Sequence, residues 1–289
     1  MNYFDQKHDF SVIKDGREIT FYHGYTLDSP EKHFLHINQC YEIYIFISGK
    51  ADYMVENVSY PLQKGDIIVI NPYQVHKVNL HCTDSYERFY FLVPVNAFEH
   101  LKINPLTLLK KKYSESNILR LSMDMKNIII NLLYKMSRFA QQDSETAELM
   151  FLGLFYEFLS RISYEKKDNN SGMLSESSNN IPQLIKNILD YIAMNFTDIK
   201  SVTELAEHFN ISLPYLSSLF KKSTGTTIKS YIKMMKVAYA KELMDYGKDP
   251  TQACYDSGFD DYSHFIQVFK ETTGSTPGQY RKEIKINNN

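Results

Sequence analysis

The chain of 289 residues has few cysteines and no long apolar run. Its three cysteines, Cys40, Cys82 and Cys254, lie far apart and include no CxxC pair. This pattern argues against a disulfide framework or a cysteine zinc site, and it fits a reducing cytoplasm. A membrane span needs about 18 consecutive apolar residues, and the sequence contains no such run. The first ten residues have no basic stretch before an apolar core, so we predict no signal peptide.

The chain also lacks a strong excess of either charge. It carries 32 Lys and Arg residues against 34 Asp and Glu residues, for a net charge of −2. A protein that is basic over its whole surface is therefore excluded, and any nucleic-acid surface must be local. What is present is 43% hydrophobic residues, enough to bury a full core. The length predicts two domains.

Three regions differ in their residue pattern. Roughly the first hundred residues contain short runs of Tyr, Phe, Ile and Val broken by turn signals such as Ser48-Gly49-Lys50, which is typical of a β-sandwich or barrel. Two helices are predicted between Met123 and Glu165, followed by a polar segment rich in Ser and Asn. We therefore predict a multidomain α+β chain: a sensor domain at 1–165 with a β-barrel and a helical layer, a flexible linker at 166–180, and an all-α domain at 181–289.

The C-terminal region contains an internal repeat. Phe220–Tyr231 aligns without gaps to Phe269–Tyr280, and each copy follows a short helix-turn-helix pattern. In the first copy we expect Ser212 to cap the second helix and Gly225 to end it. In the second copy, Asp260 or Asp261 is the expected cap and Gly274 the terminator. The alternative interpretation is a pair of helical hairpins in an unrelated bundle.

Charge and geometry favour DNA binding over that alternative. The segment from Ser217 to Lys241 contains six lysines and no acid, and lysines so placed suit phosphate contact. Between the copies, Thr227–Tyr246 is predicted to form one helix about 27–30 Å long at 1.5 Å per residue. Such a strut suits two reading helices about 34 Å apart, which is one turn of B-DNA.

The sequence GFDDYSHFIQVFKETTGSTPGQYR at 258–281 resembles the signature of the AraC/XylS family of transcription regulators. LAEHFNISLPYLSSLFKKSTG resembles the same family's first helix-turn-helix unit. The resemblance implies that the second helix of each unit enters the major groove. The expected DNA-binding residues are Pro214, Ser217, Ser218, Lys221, Lys222, Tyr262, Ser263, Ile266, Gln267 and Lys270. Many relatives carry Arg at the positions of Ser218 and Gln267, so this chain lacks the guanine contact that Arg provides there.

Residues 36–49 and 65–76 resemble the two halves of a cupin barrel, the sensor of many AraC-family members. In a strand, the even residues from His36 to Phe46 share one face. A face that mixes His, Asn, Glu and Tyr suits a pocket that binds a polar ligand. The predicted effector-binding residues are His36, Asn38, Glu42, Tyr44 and His76. Second-tier candidates are His33, Tyr53, Tyr73 and Tyr90.

Three interpretations compete for this group of side chains. Metal-dependent cupin enzymes use a His-x-His pair, a Glu and a later His, and here Asn38 replaces the second His. Two His and one Glu still suit a facial triad for iron. A purely structural role, with polar side chains satisfied inside the barrel, is the second interpretation. An organic effector pocket without metal or other cofactor is the one we favour, and no residue is assigned a catalytic role.

The function predicted from these features is a one-component, effector-responsive transcription regulator rather than an enzyme. Its expected partners are double-stranded DNA, RNA polymerase and a small-molecule effector, for which the resemblance favours a sugar or related metabolite. A second copy of the chain is expected to bind through the two helices between Met123 and Glu165, and no membrane partner is expected. We predict a cytoplasmic activator of metabolic genes. The rival functions are a metal-dependent cupin enzyme fused to a DNA-binding domain, and a DNA-binding protein whose barrel only mediates assembly.

Overall fold

The computed structural model describes residues 4–11, 18–26, 35–81, 85–99, 101–102, 104–106, 116–169 and 182–287. The N-terminal part of these residues is rich in strands. The strands are β1 (Phe4–Ser11), β2 (Glu18–Thr26), β3 (Tyr41–Ser48), β4 (Ala51–Val55), β5 (Val58–Pro61), β6 (Ile67–Ile70), β7 (His76–Leu80), β8 (Tyr86–Val93) and β9 (Ile118–Leu119). One sheet has the order β1-β2-β8-β3-β6-β9 and the other the order β5-β4-β7.

Strand β3 shows how the two cores of the sensor domain form. Ile43 and Ile45 belong to the apolar core shared with the helical layer. Tyr44 and Phe46 belong to a second core, with residues of β4 and β7 from the smaller sheet. This division follows from the two-residue period of a strand, which sends alternate side chains to opposite faces. The β-rich domain is thus confirmed, although strand pairing among the described residues forms two sheets and does not close into one barrel.

Two helices, α1 (Met123–Ala140) and α2 (Glu145–Asn169), pack on the outer face of the larger sheet. Ser122 caps α1 by accepting from the Met125 amide. Phe91 of β8 lies with its ring centre 4.8 Å from that of Phe155 and 5.2 Å from that of Phe158. Close aromatic packing of this kind contributes about 0.5–1.5 kcal/mol per pair beyond the buried area. It ties the helical layer firmly to the sheet.

The rest of the described chain is helical. Its helices are α3 (Gln183–Asn195), α4 (Val202–His208), α5 (Leu213–Thr224), α6 (Ile228–Asp245), α7 (Pro250–Asp256), α8 (Tyr262–Thr273) and α9 (Pro277–Asn287). The first half of α6 packs into one apolar core and its second half into another. Each core belongs to one helix-turn-helix unit, α4–α5 or α7–α8, so a single helix joins the two units rigidly.

The predicted helix ends in the repeat are confirmed. Ser212 caps α5, and Gly225 ends it with a left-handed backbone at φ 76°. Asp261, rather than Asp260, caps α8, and Gly274 ends it at φ 84°. Only glycine adopts such backbone angles without steric cost.

The structure differs from the sequence prediction at the start of β3. The predicted strand from His36 to Phe46 is not continuous, because β3 begins at Tyr41 and His36 instead forms an isolated bridge with His76. Helix α2 extends to Asn169. Residues 170–180 of the predicted linker lie outside the described residues. No helix in the described part of the chain is long and apolar enough to cross a membrane.

Candidate effector site and nucleic-acid interface

Both reading helices, α5 and α8, present their predicted DNA-facing residues to solvent. The exposed residues are Pro214, Ser217, Ser218, Lys221, Lys222, Ser263, Gln267 and Lys270, with Tyr262 and Ile266 partly exposed. Tyr215 is 54% exposed beside Ser218, although the sequence analysis did not select it. The sequence did contain a signal for its exposure, because Tyr215 lies in the first turn of α5, directly before the buried Leu216 and three residues after the capping Ser212. The arrangement leaves both helix faces free to enter a groove.

Gln267 has a partner within its own helix. Its Nε2 donates to Glu271 Oε1 at 2.8 Å, one turn further along α8. An amide that contacts a base edge must exchange this hydrogen bond for one to DNA. The exchange reduces the net gain from base contact, since the bond already made is worth about 0.5–1.5 kcal/mol.

The lysines of the acid-free segment divide into two groups. Lys221 and Lys222 are exposed in the last turn of α5. Lys236 instead donates from Nζ to the Gly258 carbonyl at 2.6 Å and lies 6.0 Å from the centre of the Phe259 ring. Lys241 lies over the ring of Tyr280 at 5.4 Å. Lys236 thus connects α6 to the turn of the second unit, and Lys221 and Lys222 remain the lysines of this segment predicted to contact phosphates.

Inside the sensor, Glu42 is the centre of a polar cluster formed by His36, Asn38, Glu42, Tyr53 and His76. Glu42 is 6% exposed and His76 is 1% exposed. Asn38 Nδ2 donates to Glu42 Oε2 at 2.8 Å, and the Tyr53 hydroxyl donates to Oε1 at 2.7 Å. His76 Nε2 lies 3.2 Å from Glu42 Oε2. The structure thus brings predicted effector residues together, although His36 lies on a separate segment from β3.

The charge of Glu42 is stabilised by its neighbours. Burial disfavours the carboxylate, but His76, His36 and the Tyr53 hydroxyl together lower the pKa of Glu42 to about 2. His76 Nδ1 lies 2.7 Å from the Gln74 carbonyl, which can only accept. The Nδ1 atom therefore donates, and Nε2 faces the carboxylate. The His36 ring packs against the His76 ring with centres 4.2 Å apart.

Aromatic side chains extend the polar cluster. The Tyr44 and Tyr86 hydroxyls are hydrogen-bonded to each other, and the Tyr44 ring lies 4.6 Å from that of Tyr53. Arg88 is buried, with its guanidinium 4.8 Å from the centre of the Tyr86 ring. Sequence analysis missed Tyr86 and Arg88, although their alternation along β8 places them on the same face. Hydroxyls, a carboxylate, imidazoles and rings together suit a small polar molecule.

The second-tier candidates separate. Tyr53 belongs to the polar cluster, and Tyr90 stacks on Tyr22 with ring centres 4.5 Å apart. Tyr73 instead uses its carbonyl to accept from the Tyr231 hydroxyl of α6 at 2.9 Å, so it lies at the contact between domains. His33 lies outside the described residues.

A separate cleft of about 430 Å³ opens between β2, β8 and α1. His23 Nε2 lies 2.9 Å from Glu87 Oε1, and the Tyr134 hydroxyl donates to the same oxygen at 2.7 Å. Ser137 Oγ lies 3.0 Å from His23 Nδ1. These side chains join the sheet to α1, and none was selected from the sequence.

Comparison with known proteins places this geometry in a family. The sequence profile of the AraC-like ligand binding domain matches residues 23–159, and that of a helix-turn-helix domain matches residues 205–283. The chain belongs to the AraC family of transcription regulators. This AraC-family regulator therefore carries a ligand-binding domain of that type and a DNA-binding domain with two helix-turn-helix units.

Relatives agree with the assignment. The chain is 23% identical over 252 residues to the arabinose operon regulatory protein of Escherichia coli K12. This match covers 86% of this chain and 82% of the relative. It is 28% identical over 141 residues to the Msm operon regulatory protein of Streptococcus mutans, covering 48% of this chain and 50% of the relative. The crystal structure of ToxT from Vibrio cholerae shares the fold, with a TM-score of 0.52 and 16% identity over 91% of this chain and 98% of ToxT.

Proposed function

We propose that this AraC-family regulator activates metabolic genes when a small polar molecule occupies the cluster around Glu42. The observation that carries the proposal is the pairing, in one chain, of a buried polar cluster with two exposed reading helices on a rigid strut. We infer that occupancy of the polar cluster alters the position of the two exposed helices. A ligand achieves this by binding one arrangement of the domains more tightly than another.

The chemistry of the cluster supports a hydroxyl-bearing effector. His36, Asn38, Glu42, Tyr44 and His76 offer donors and acceptors beside aromatic rings, which suits a sugar or a related metabolite. The name of the arabinose operon regulatory protein points the same way. A solved ToxT structure is described as bound to an unsaturated fatty acid, but a buried ionised carboxylate does not suit an acyl chain.

A homodimer formed through α1 and α2 completes the proposal. The outer surface of these helices exposes Ile128, Leu149 and Tyr164 to solvent, and Leu149 is 71% exposed. A contiguous apolar patch is typical of an interaction surface, and the proposal requires these side chains to contribute to one. A dimer on DNA places four reading helices on adjacent grooves and presents the protein to RNA polymerase in the cytoplasm.

One observation favours a rival, the metal-dependent cupin enzyme. His36, Glu42 and His76 each bring a donor atom within 4.8 Å of the others. Two imidazoles and a carboxylate with further open positions suit non-haem iron. Metal analysis of the purified chain separates the two functions, because stoichiometric iron, zinc or manganese that is required for the DNA response contradicts an effector pocket free of metal.

The test of the proposed function has two stages. Selection from random DNA with the full chain identifies a binding site, and a metabolite screen by thermal unfolding identifies the effector. An effector at 100 times its Kd stabilises the chain by about 2.7 kcal/mol. A compound that raises the melting temperature and changes affinity for the selected DNA supports the proposal. Selected DNA binding that no stabilising compound alters supports instead a barrel that only mediates assembly.

A further inference from the structure

The sensor domain touches the first helix-turn-helix unit at the C-terminal end of its reading helix. Asn57, in the turn between β4 and β5, donates from Nδ2 to the Lys222 carbonyl of α5 at 2.8 Å. A Cβ atom added to Gly225 would lie 2.6 Å from the backbone oxygen of Glu56 in the same turn. The last carbonyls of a helix have no donor within the helix. A turn of the sensor therefore supplies part of the C-terminal cap of α5.

A second contact lies directly behind the polar cluster. His36 and His76 exchange backbone hydrogen bonds of 3.1 and 2.9 Å. Their neighbours Ile37 and Val75 are buried in the apolar core of the first unit, together with residues of α3, α4, α5 and α6. Alternate residues of extended chain face opposite sides. The same two backbone segments thus carry the cluster on one side and part of the core of the first unit on the other.

Hydrogen bonds connect the cluster to the turn. His76 faces Glu42 with one ring nitrogen and donates with the other to the Gln74 carbonyl. The Gln74 side chain is hydrogen-bonded to the Glu56 carboxyl. The Glu56 amide donates to the Val75 carbonyl at 2.7 Å. A continuous path of contacts thus runs from Glu42 through His76 and Gln74 to Glu56 in the turn. A shift of one of these side chains therefore affects the next.

We propose that the turn at Glu56–Asn57 is a latch through which the polar cluster controls the position of the first reading helix. The inference rests on the proposed function and specifies its regulation. The latch does not cover the DNA-facing side of α5, since Ser217, Ser218 and Lys221 stay exposed. It sets where that helix lies relative to the sensor. The turn contacts α5 and its glycine cap directly, so the first unit responds more strongly to the state of the cluster than the second unit.

Amide hydrogen exchange of the full chain without DNA tests the latch. The repeat supplies an internal control, because residues 220–231 and 269–280 have matching sequences and matching glycine caps. Asn57→Ala removes the bond to Lys222 and is expected to speed exchange in 220–231 about two- to tenfold, from the usual net worth of one hydrogen bond. Glu42→Gln, which changes the cluster alone, is expected to speed exchange in the same segment. Residues 269–280 are expected to change less in both variants.

His81→Gln is the matched control for Glu42→Gln. His81, directly after β7, pairs with Asp52 of β4 at 2.8 Å, but its side chain is 52% exposed and it takes no part in the contacts described from Glu42 to the turn. It is expected to leave both segments unchanged. Slow amide exchange retained in β3 and β8 shows that Glu42→Gln still folds. If Glu42→Gln does not fold, Asn57→Ala still tests the latch.

Equal acceleration in both segments would overturn the latch, because it indicates general loosening of the DNA-binding domain. Unchanged exchange in 220–231 for Asn57→Ala would overturn it too. These outcomes are independent of the proposed function, which fails instead if the full chain selects no DNA site. A chain that selects DNA and responds to an effector, yet shows no difference between the segments, retains its function without this latch.

Discussion

Lys221 and Lys222 are neighbours in the last turn of α5, and both are exposed. Since a cation near the phosphate backbone releases condensed counterions, we expect at least one of them to contribute to binding of any DNA sequence. Replacing that residue with Ala should lower the slope of log affinity against log salt by about 0.9 per lost contact. The measurement is DNA titration at several salt concentrations.

The control for the lysine variants is Lys135→Ala, which removes the same charge from an exposed site on α1. It should leave the slope unchanged. Gln267→Ala should instead alter preference at one base pair by about 1–3 kcal/mol. If both lysine variants keep the slope of the unmodified chain, neither residue contacts DNA.

Glu56 makes the interdomain turn sensitive to pH. Burial raises the pKa of Glu56 to about 7, above the usual value of 4.5. The folded state therefore holds the proton more tightly than the unfolded state, and stability falls as pH rises from about 4.5 through 7. Glu56→Gln removes this loss while keeping a polar group for Gln74. We expect the variant to match the original chain at pH 4 and to be about 1–3 kcal/mol more stable at pH 8.

Thermal unfolding at both pH values tests this expectation for Glu56. Glu204 in the first turn of α4 is exposed, and Glu204→Gln serves as a control with the same chemical change. Stability profiles that run parallel for Glu56→Gln and the original chain would contradict the assignment.

Helix α6 is the element on which the predicted binding to two grooves depends. It begins after the cap at Thr227 and ends at Asp245, and its two halves are buried in different cores. Inserting two residues at its centre rotates one unit about 200° against the other and shifts it about 3 Å. Bivalent binding should then be lost, with a drop in affinity of about 10²-fold.

An insertion of two residues within 170–180, inside the linker predicted at 166–180, is the control for the α6 insertion. It should cost far less, because closure entropy of a flexible segment grows only logarithmically with length. The measurement is DNA affinity of the full chain by titration, with circular dichroism to verify folding. Comparable losses from the two insertions would show that α6 does not set the spacing of the reading helices.

These elements also show what could be predicted from the sequence. The repeat, its caps and the strut depend on local chemistry, such as the Ser212 hydroxyl and the glycine at 225, and all were predicted correctly. The break before Tyr41 was not, because residues 36–46 alternate as a strand would, whereas His36 pairs across the domain with His76. The roles of Asn57 and Lys236 depend on contacts 165 and 22 residues away, which no local pattern contains.

The buried cluster and the two exposed helices are joined through a shared backbone. Ile37 and Val75 pack in the core of the first unit, while their neighbours His36 and His76 belong to the cluster. A ligand that favours one arrangement of His76 and Glu42 therefore acts on the first unit directly. The effect is limited to the difference in binding free energy between the two arrangements.

The most direct measurement of effector control compares the original chain with Glu42→Gln. Affinity for the selected DNA is titrated with and without the compound that most raises the melting temperature of the original chain. We predict that the compound changes the affinity of the original chain by about 5- to 150-fold, the usual range of coupling between sites. Glu42→Gln should lose most of that response, measured as the ratio of its own affinities with and without the compound. An equal response in both chains would contradict the account, and so would a stabilising compound that leaves DNA affinity unchanged.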